Sequence, residues 1–228
     1  MSGALAGIEF CVFDAYGTLF DFNSAVARHR AAIGPSADAL SELWRSKQIQ
    51  YTWLRNGMGC YAPFWQVTGE ALDHCLAAHD IADPSVREKL MGAYLALDPF
   101  PEVPAILDTL RRAGKRLAIL SNGNPEMLTP MVEASGLADR FDAVLSVHEA
   151  GVFKPDPKVY RLVEARCGVK PGRVCFLSSN CWDAHGAAHF GFQTVWVNRS
   201  GAPDDGLPGT LASQIDDLSS LPNLLGVS

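Results

Sequence analysis

The hydrophobic positions of this chain fall into short continuous runs near its start and through its second half, with helical stripes between. Five apolar-rich runs, at 9–13, 116–120, 143–147, 174–177 and 194–197, have the length of an average strand. Runs that are apolar throughout, rather than alternating, belong to strands covered on both faces, as in a parallel sheet. Stretches with helical spacing separate the later runs, at 103–113, 126–135, 157–167 and 182–189. Strands alternating with helices predict an α/β fold: a parallel sheet with helices on both faces.

One connection breaks the rhythm. About a hundred residues separate Leu19 from the second strand, and they read as helices at 24–32, 37–55, 63–78 and 84–97. Asp83-Pro84 is a helix start, with a capping carboxylate and a proline at the first helical position. The Pro-rich stretch 98–104 returns the chain to the sheet. This predicts a helical cap over 20–98, inserted into a core made of 1–19 and 99–228. A cap above the strand ends could exclude water from chemistry there.

Composition narrows the class. The 228 residues are 48% hydrophobic, enough for a sizeable core. The net charge is −6 with no Lys/Arg cluster, which argues against nucleic acid as a partner. Any anion site must therefore rest on a few placed cations. Six cysteines, Cys11, Cys60, Cys75, Cys167, Cys175 and Cys181, show no CxxC spacing. They read as reduced thiols of a cytoplasmic protein, with no zinc site expected from the spacing. No basic n-region precedes a long apolar stretch, and no apolar run approaches the ~20 residues of a membrane span. Neither a signal peptide nor a membrane anchor is expected.

In open α/β sheets ligands bind outside the carboxyl ends of the strands. Strand one ends in Asp14, followed by Tyr16, Gly17 and Thr18. Strand two runs into Ser121-Asn122-Gly123, and strand three is followed by Phe153-Lys154-Pro155. Strand four ends in Ser178-Ser179-Asn180, with Asp183 close behind. Singly, the serines could be helix caps, Lys154 a solvated side chain, and Asp183 a first-turn acid favoured by the helix dipole. Four strand ends that all carry chemistry-bearing residues predict one site instead.

Asp14-Ala15-Tyr16-Gly17-Thr18, Ser121-Asn122-Gly123, Lys154-Pro155 and Ser178-Ser179-Asn180-Cys181-Trp182-Asp183 resemble the motifs of the haloacid dehalogenase superfamily. More narrowly they resemble its L-2-haloacid dehalogenases, and the segment 43–55 is similar to that subfamily's cap helix. The resemblance implies a Rossmann-like core, a covalent ester formed on Asp14, and no cofactor or metal. It implies a small 2-haloacid and water as reactants, halide as a product, and a homodimer.

Tyr16 separates this reading from phosphoryl transfer. The superfamily's magnesium-dependent phosphatases carry a second Asp at that position, as general acid for the leaving alkoxide. Halide departs without a proton and needs no such acid. Their magnesium ligands also fall where this chain has neutral Ser178, Ser179 and Asn180.

The resemblance implies that Lys154 keeps Asp14 ionised while Thr18, Asn180 and one of Ser178 or Ser179 orient its oxygens. Asp183 either orients Lys154 or helps activate the hydrolytic water, and Tyr160 is a candidate supporting partner of Lys154, one layer behind the residues that touch substrate. Ser121 and neighbouring amides would receive the substrate carboxylate. Arg45, Asn122 and Trp182 would receive halide, with Tyr16, Phe64 and Trp182 as apolar walls. Arg45, planar and permanently charged, can meet either carboxylate or halide. Gly57, Gly59 and Cys60 leave the pocket volume open, so haloacetates, fluoroacetate included, stay within range. Two other readings remain at this point: a magnesium-dependent phosphatase with an unusual site, and a non-catalytic binding protein on the same fold.

Overall fold

A computed structural model describes residues 5–227. Strand β1 (Phe10–Phe13) is buried along its whole length. It pairs in parallel with β4 (Arg116–Ser121) on one side and β6 (Val174–Ser178) on the other. β5 (Ala143–Ser146) lies outside β4, and β7 (Gln193–Val197) followed by β8 (Ser213–Ile215) lie outside β6. Every pairing in this six-stranded sheet is parallel, in the order β5-β4-β1-β6-β7-β8. Successive connections leave β1 in opposite directions, so the crevice at its carboxyl end is a topological switch point. Asp14 stands at that point.

The helices of the core are α6 (Val103–Arg112), which leads into β4, then α7 (Pro125–Ala134), α8 (Pro157–Cys167), α9 (Cys181–Phe190) and the short α10 (Leu221–Leu224). Between β1 and β4 stand α1 (Asn23–Arg28), α2 (Arg30–Ile33), α3 (Ala37–Met58), α4 (Phe64–Ala78) and α5 (Pro84–Tyr94). The chain leaves and re-enters the sheet side by side: β2 (Phe20–Asp21) pairs antiparallel with β3 (Asp98–Pro99).

The stretch expected as one helix over 24–32 is two, because the chain turns at His29. Arg28, at the end of α1, donates to the Ala96 carbonyl and to Asp98, which ties this turn to the returning strand. Asp83 does cap α5, accepting the Ser85 N–H at 2.8 Å.

The long helix α3 buries Leu40, Trp44, Gln48 and Thr52, one turn apart along a single face. Gln48 is a buried amide within that stripe and its polar atoms are used. It donates to Thr68 of α4 at 2.9 Å and accepts from the Tyr94 hydroxyl of α5 at 3.0 Å. The Trp44 indole donates to the Thr68 carbonyl. A satisfied polar junction of this kind fixes how three helices meet, since shifting one orphans a buried group. It holds α3 in place, and α3 carries Arg45 on the side toward the sheet.

Candidate active site

Asp14 leaves β1 just after its last pairing, with its own N–H bonded to the Leu177 carbonyl at 2.8 Å. The chain then doubles back through Gly17, whose φ of +86° suits glycine and whose missing Cβ would stand 2.8 Å from Ser179 Oγ. This tight turn brings Thr18 over the carboxylate. Thr18 Oγ1 donates to Asp14 Oδ2 at 3.2 Å and accepts the Ser179 N–H at 2.8 Å. Asn180 Nδ2 donates to the same Oδ2 at 3.0 Å.

The other oxygen faces Lys154. Its ammonium is 3.0 Å from Asp14 Oδ1 and 2.9 Å from Asp183 Oδ2, and the side chain is 1% exposed. Tyr160 donates its hydroxyl to Asp183 Oδ1 at 2.8 Å. Tyr160 therefore supports Lys154 through Asp183, from behind the groups that face the pocket. Both Asp183 oxygens are committed, and the residue is fully buried. That geometry suits orienting Lys154 and leaves no free oxygen to draw a proton from water.

Burial opposes charge on Lys154, but the facing Asp14 and Asp183 outweigh it and hold the ammonium above the usual lysine range. Burial pushes the Asp183 carboxyl up, against the pull of Lys154. Tyr160 is pushed well up by burial and then by Asp183, so it stays a phenol donor.

The loop carrying Lys154 is held from the cap. Asn56 of α3 donates to the Phe153 carbonyl at 2.8 Å and accepts the Phe153 N–H at 2.9 Å. Asn122 accepts the Lys154 N–H at 3.1 Å, which leaves its NH₂ end for the pocket. Ser121 Oγ accepts the Gly123 N–H at 3.1 Å. It shapes the turn after β4 and does not line the pocket. Ser178 behaves alike, accepting the Asn180 N–H at 3.2 Å. Neither Ser178 nor Ser179 bonds Asp14: Ser178 sets the turn that presents Asn180, and Ser179 engages Thr18.

The pocket in front of Asp14 is walled by Tyr16, Arg45, Ile49, Phe64, Asn122, Asn180 and Trp182. It is small, and a roomier cleft that shares Arg45, Ile49 and Asn180 with it adjoins it on the side of Phe22 and Arg199. Arg45 Nη2 donates to Asn180 Oδ1 at 3.1 Å and to the Tyr16 carbonyl at 3.3 Å, and its guanidinium lies over Phe22. Among the described residues it has no carboxylate partner, so its charge is available to an anion. The Tyr16 hydroxyl is buried without a partner, and burial pushes its pKa well up.

Ile49, Phe22 and Arg199 are the neighbours that the sequence reading passed over. Ile49 was within reach of it, one helical turn after Arg45. Arg199, just past the end of β7, donates to the Thr18 carbonyl at 2.8 Å and pairs with Glu102. Its role depends on a contact between distant segments and leaves no local pattern.

Phosphatases of the superfamily place a magnesium ion between carboxylates at this position. The residues here do not fit one. The Lys154 ammonium already stands between Asp14 and Asp183, and the nearby loop offers only neutral Ser178, Ser179 and Asn180.

A carboxylate at the switch point of a parallel sheet, ion-paired to a buried lysine and roofed by a helical insertion, defines an enzyme working through an aspartyl nucleophile. A family model of haloacid dehalogenase-like hydrolases matches residues 8–191. The chain belongs to that family. It is 46% identical to (S)-2-haloacid dehalogenase 4A of Burkholderia cepacia, over 96% of this chain and 95% of that one. It is 45% identical to (S)-2-haloacid dehalogenase 1 of a Pseudomonas species, over 96% of both. Among solved structures, the L-2-haloacid dehalogenase of Xanthobacter autotrophicus with chloropropionic acid covalently bound superposes with a TM-score of 0.89. That match is at 39% identity, over 96% of this chain and 98% of that one.

Proposed function

We propose that this protein hydrolyses short-chain (S)-2-haloalkanoic acids to (R)-2-hydroxy acids, through an ester on Asp14 and without a metal. The observation that carries this is the Asp14 carboxylate, anchored by Lys154, Thr18 and Asn180 and facing a small pocket of aromatic walls and placed donors in which Tyr16 stands where a general acid would. A haloacetate dehalogenase of a Moraxella species, 39% identical over 96% of this chain, supports haloacetates as further substrates.

One Asp14 oxygen attacks C2 from the face opposite the halogen. The C–O bond forms as the carbon–halogen bond breaks, halide leaves with the electron pair, and C2 inverts. The substrate carboxylate is received at the turn after β4, which Ser121 shapes. Arg45, Asn122 and the edge of Trp182 receive the halide. Water then attacks the Asp14 carbonyl carbon; the bond from that carbon to the ester oxygen breaks, and the departing alkoxide takes up the proton that the water loses, which frees the 2-hydroxy acid and restores the Asp14 carboxylate. Lys154, Thr18 and Asn180 already point at the oxygens where negative charge develops, so they stabilise that tetrahedral state without rearranging. Asp183, held by Tyr160, keeps Lys154 aimed.

Arg45→Lys is expected to lower the rate of halide release about 100-fold, because a point charge cannot hold Asn180 and also meet an anion in one plane. Unchanged kcat and KM for 2-chloropropionate would remove Arg45 from this role. Turnover well below the melting temperature is expected to be unaffected by EDTA. Loss on chelation with recovery on adding Mg²⁺ would favour the phosphatase reading.

The protein is expected to act in the cytoplasm; no helix among the described residues is long and apolar enough to cross a membrane. It is expected to be a homodimer, and Leu54 and Met58, exposed on α3, offer an apolar contact for a second copy. Light scattering in solution should give twice the chain mass, and the single-chain mass would refute this.

A further inference from the structure

Cys181 and His185 stand one turn apart on α9, so their side chains share a face. That face meets the irregular segment between β7 and β8. Asp204, on this segment, reaches both: its Oδ1 is 2.7 Å from His185 Nε2 and 3.8 Å from Cys181 Sγ. One ligand atom from each of the three residues falls within 4.8 Å of the others. Cys181 and His185 are buried, and Asp204 is exposed, so the cluster is reachable from solvent on one side.

The hydrogen bonds around the imidazole leave one ring nitrogen facing an acceptor. His185 Nδ1 lies 2.9 Å from the Gly209 carbonyl. A carbonyl only accepts, so Nδ1 carries the proton. The neutral ring then presents a lone pair at Nε2, and that lone pair faces a carboxylate oxygen. Two acceptors at this separation need a second ring proton or a metal ion between them. Cys181 Sγ approaches the same Asp204 oxygen from a third side, so three potential ligand atoms of different kinds converge on one point.

The surroundings are arranged in the same sense. The Asp205 N–H donates to Cys181 Sγ at 3.5 Å, and the Gly206 N–H donates to Asp204 Oδ1 at 2.7 Å. Outer donors of this kind orient metal ligands. The carbonyl that sets the ring is itself fixed by backbone packing. Gly209 has a φ of +111°, and a Cβ there would stand 2.4 Å from the His185 carbonyl oxygen and 2.7 Å from the His189 nitrogen. Only glycine lets the segment sit this low on α9.

We propose that Cys181, His185 and Asp204 bind a divalent, borderline-soft metal ion, zinc by ligand type, with the fourth position taken by water or the Asp205 carboxylate. Thiolate, imidazole and carboxylate together match that class of cation and not magnesium or calcium. Metal–ligand bonds of about 2.0–2.3 Å in a tetrahedron require the Nε2–Oδ1 pair to open by roughly half an ångström. Asp204 can make that movement, being an exposed residue of a loop. Binding displaces the Cys181 proton to solvent. The ion would fasten the segment to the first turn of α9, which follows Asn180 and carries Asp183. It is a staple for the active-site helix and takes no part in the dehalogenation.

The test uses the full-length protein, chelated and then freed of chelator, and titrated with Co²⁺ and Zn²⁺. Co²⁺ is expected to bind at one equivalent, with a thiolate charge-transfer band in the near ultraviolet that Zn²⁺ displaces. Cys181→Ser should abolish the band. His185→Gln and Asp204→Asn should each weaken binding about tenfold or more. Asp204→Asn lies on an exposed loop, so it reports even where a buried substitution unfolds the chain. Zn²⁺ should raise the melting temperature of the unmodified protein and not that of Asp204→Asn, while haloacid turnover at low temperature stays unchanged in both. Absence of stoichiometric binding at micromolar metal would overturn the proposal. So would equal affinity in Asp204→Asn, or a cobalt–thiolate band that survives Cys181→Ser and is lost in Cys60→Ser.

Discussion

Asp14→Asn is expected to cut halide release by about 10⁴-fold or more, because an amide oxygen is too weak a nucleophile to displace halide. The fold should survive. Lys154 faces two carboxylates, Asp14 and Asp183, so the buried trio carries a net negative charge. Removing one carboxylate leaves a neutral Lys154–Asp183 pair and relieves the repulsion that helps push Asp183 up. The variant should therefore melt at or above the temperature of the unmodified protein. Thermal melting and halide release on the same preparation separate this from simple unfolding. An inactive variant that also melts much lower would show that Asp14 supports the structure rather than the chemistry.

Lys154→Met is expected to fail in both respects. It leaves two buried carboxylates side by side with no cation, and breaking a buried pair in this way costs about 3–5 kcal/mol. The pH dependence distinguishes the cause. In the variant nothing offsets the burial that already pushes the Asp183 carboxyl up, so its protonated form is favoured and the variant comes nearest to the parent in acid. It then loses stability as pH rises from the ordinary carboxylate value of about 4. The parent loses the Lys154 contribution only at the alkaline end. Lys154 has a raised folded pKa, so its contribution is complete below the reference lysine value of 10.5 and is lost as pH climbs through the higher folded value. Denaturant midpoints of both proteins across pH measure this. Parallel curves would mean that the ion pair contributes nothing.

Much of this could be read along the chain. The apolar runs at 9–13 and 174–177 become β1 and β6 with all residues buried. The long strandless stretch does hold the inserted helices. What went unread has physical reasons. β8 is Ser213-Gln214-Ile215, too short and polar to announce itself, and it exists because β7 offers an edge. The β2–β3 ribbon is two residues a side and depends on ends that are far apart in sequence meeting in space.

The site residues were legible as strand ends, but their partners were not. Nothing local tells that Tyr160 turns to Asp183, or that Ser178 serves the Asn180 turn instead of Asp14. The same holds for Cys181 and His185. Their helical spacing is plain in the sequence, while Asp204 comes from a segment with no pattern.

The central claim is that Asp14 oxygen, and not water, forms the bond to C2. Single-turnover hydrolysis with enzyme in excess over (S)-2-chloropropionate in H₂¹⁸O tests it directly. Attack by Asp14 followed by water at its carbonyl carbon predicts a first-turnover hydroxy acid with no ¹⁸O in its new hydroxyl, and one ¹⁸O in the peptide carrying Asp14. A first-turnover product labelled at the hydroxyl, with Asp14 unlabelled, would contradict it.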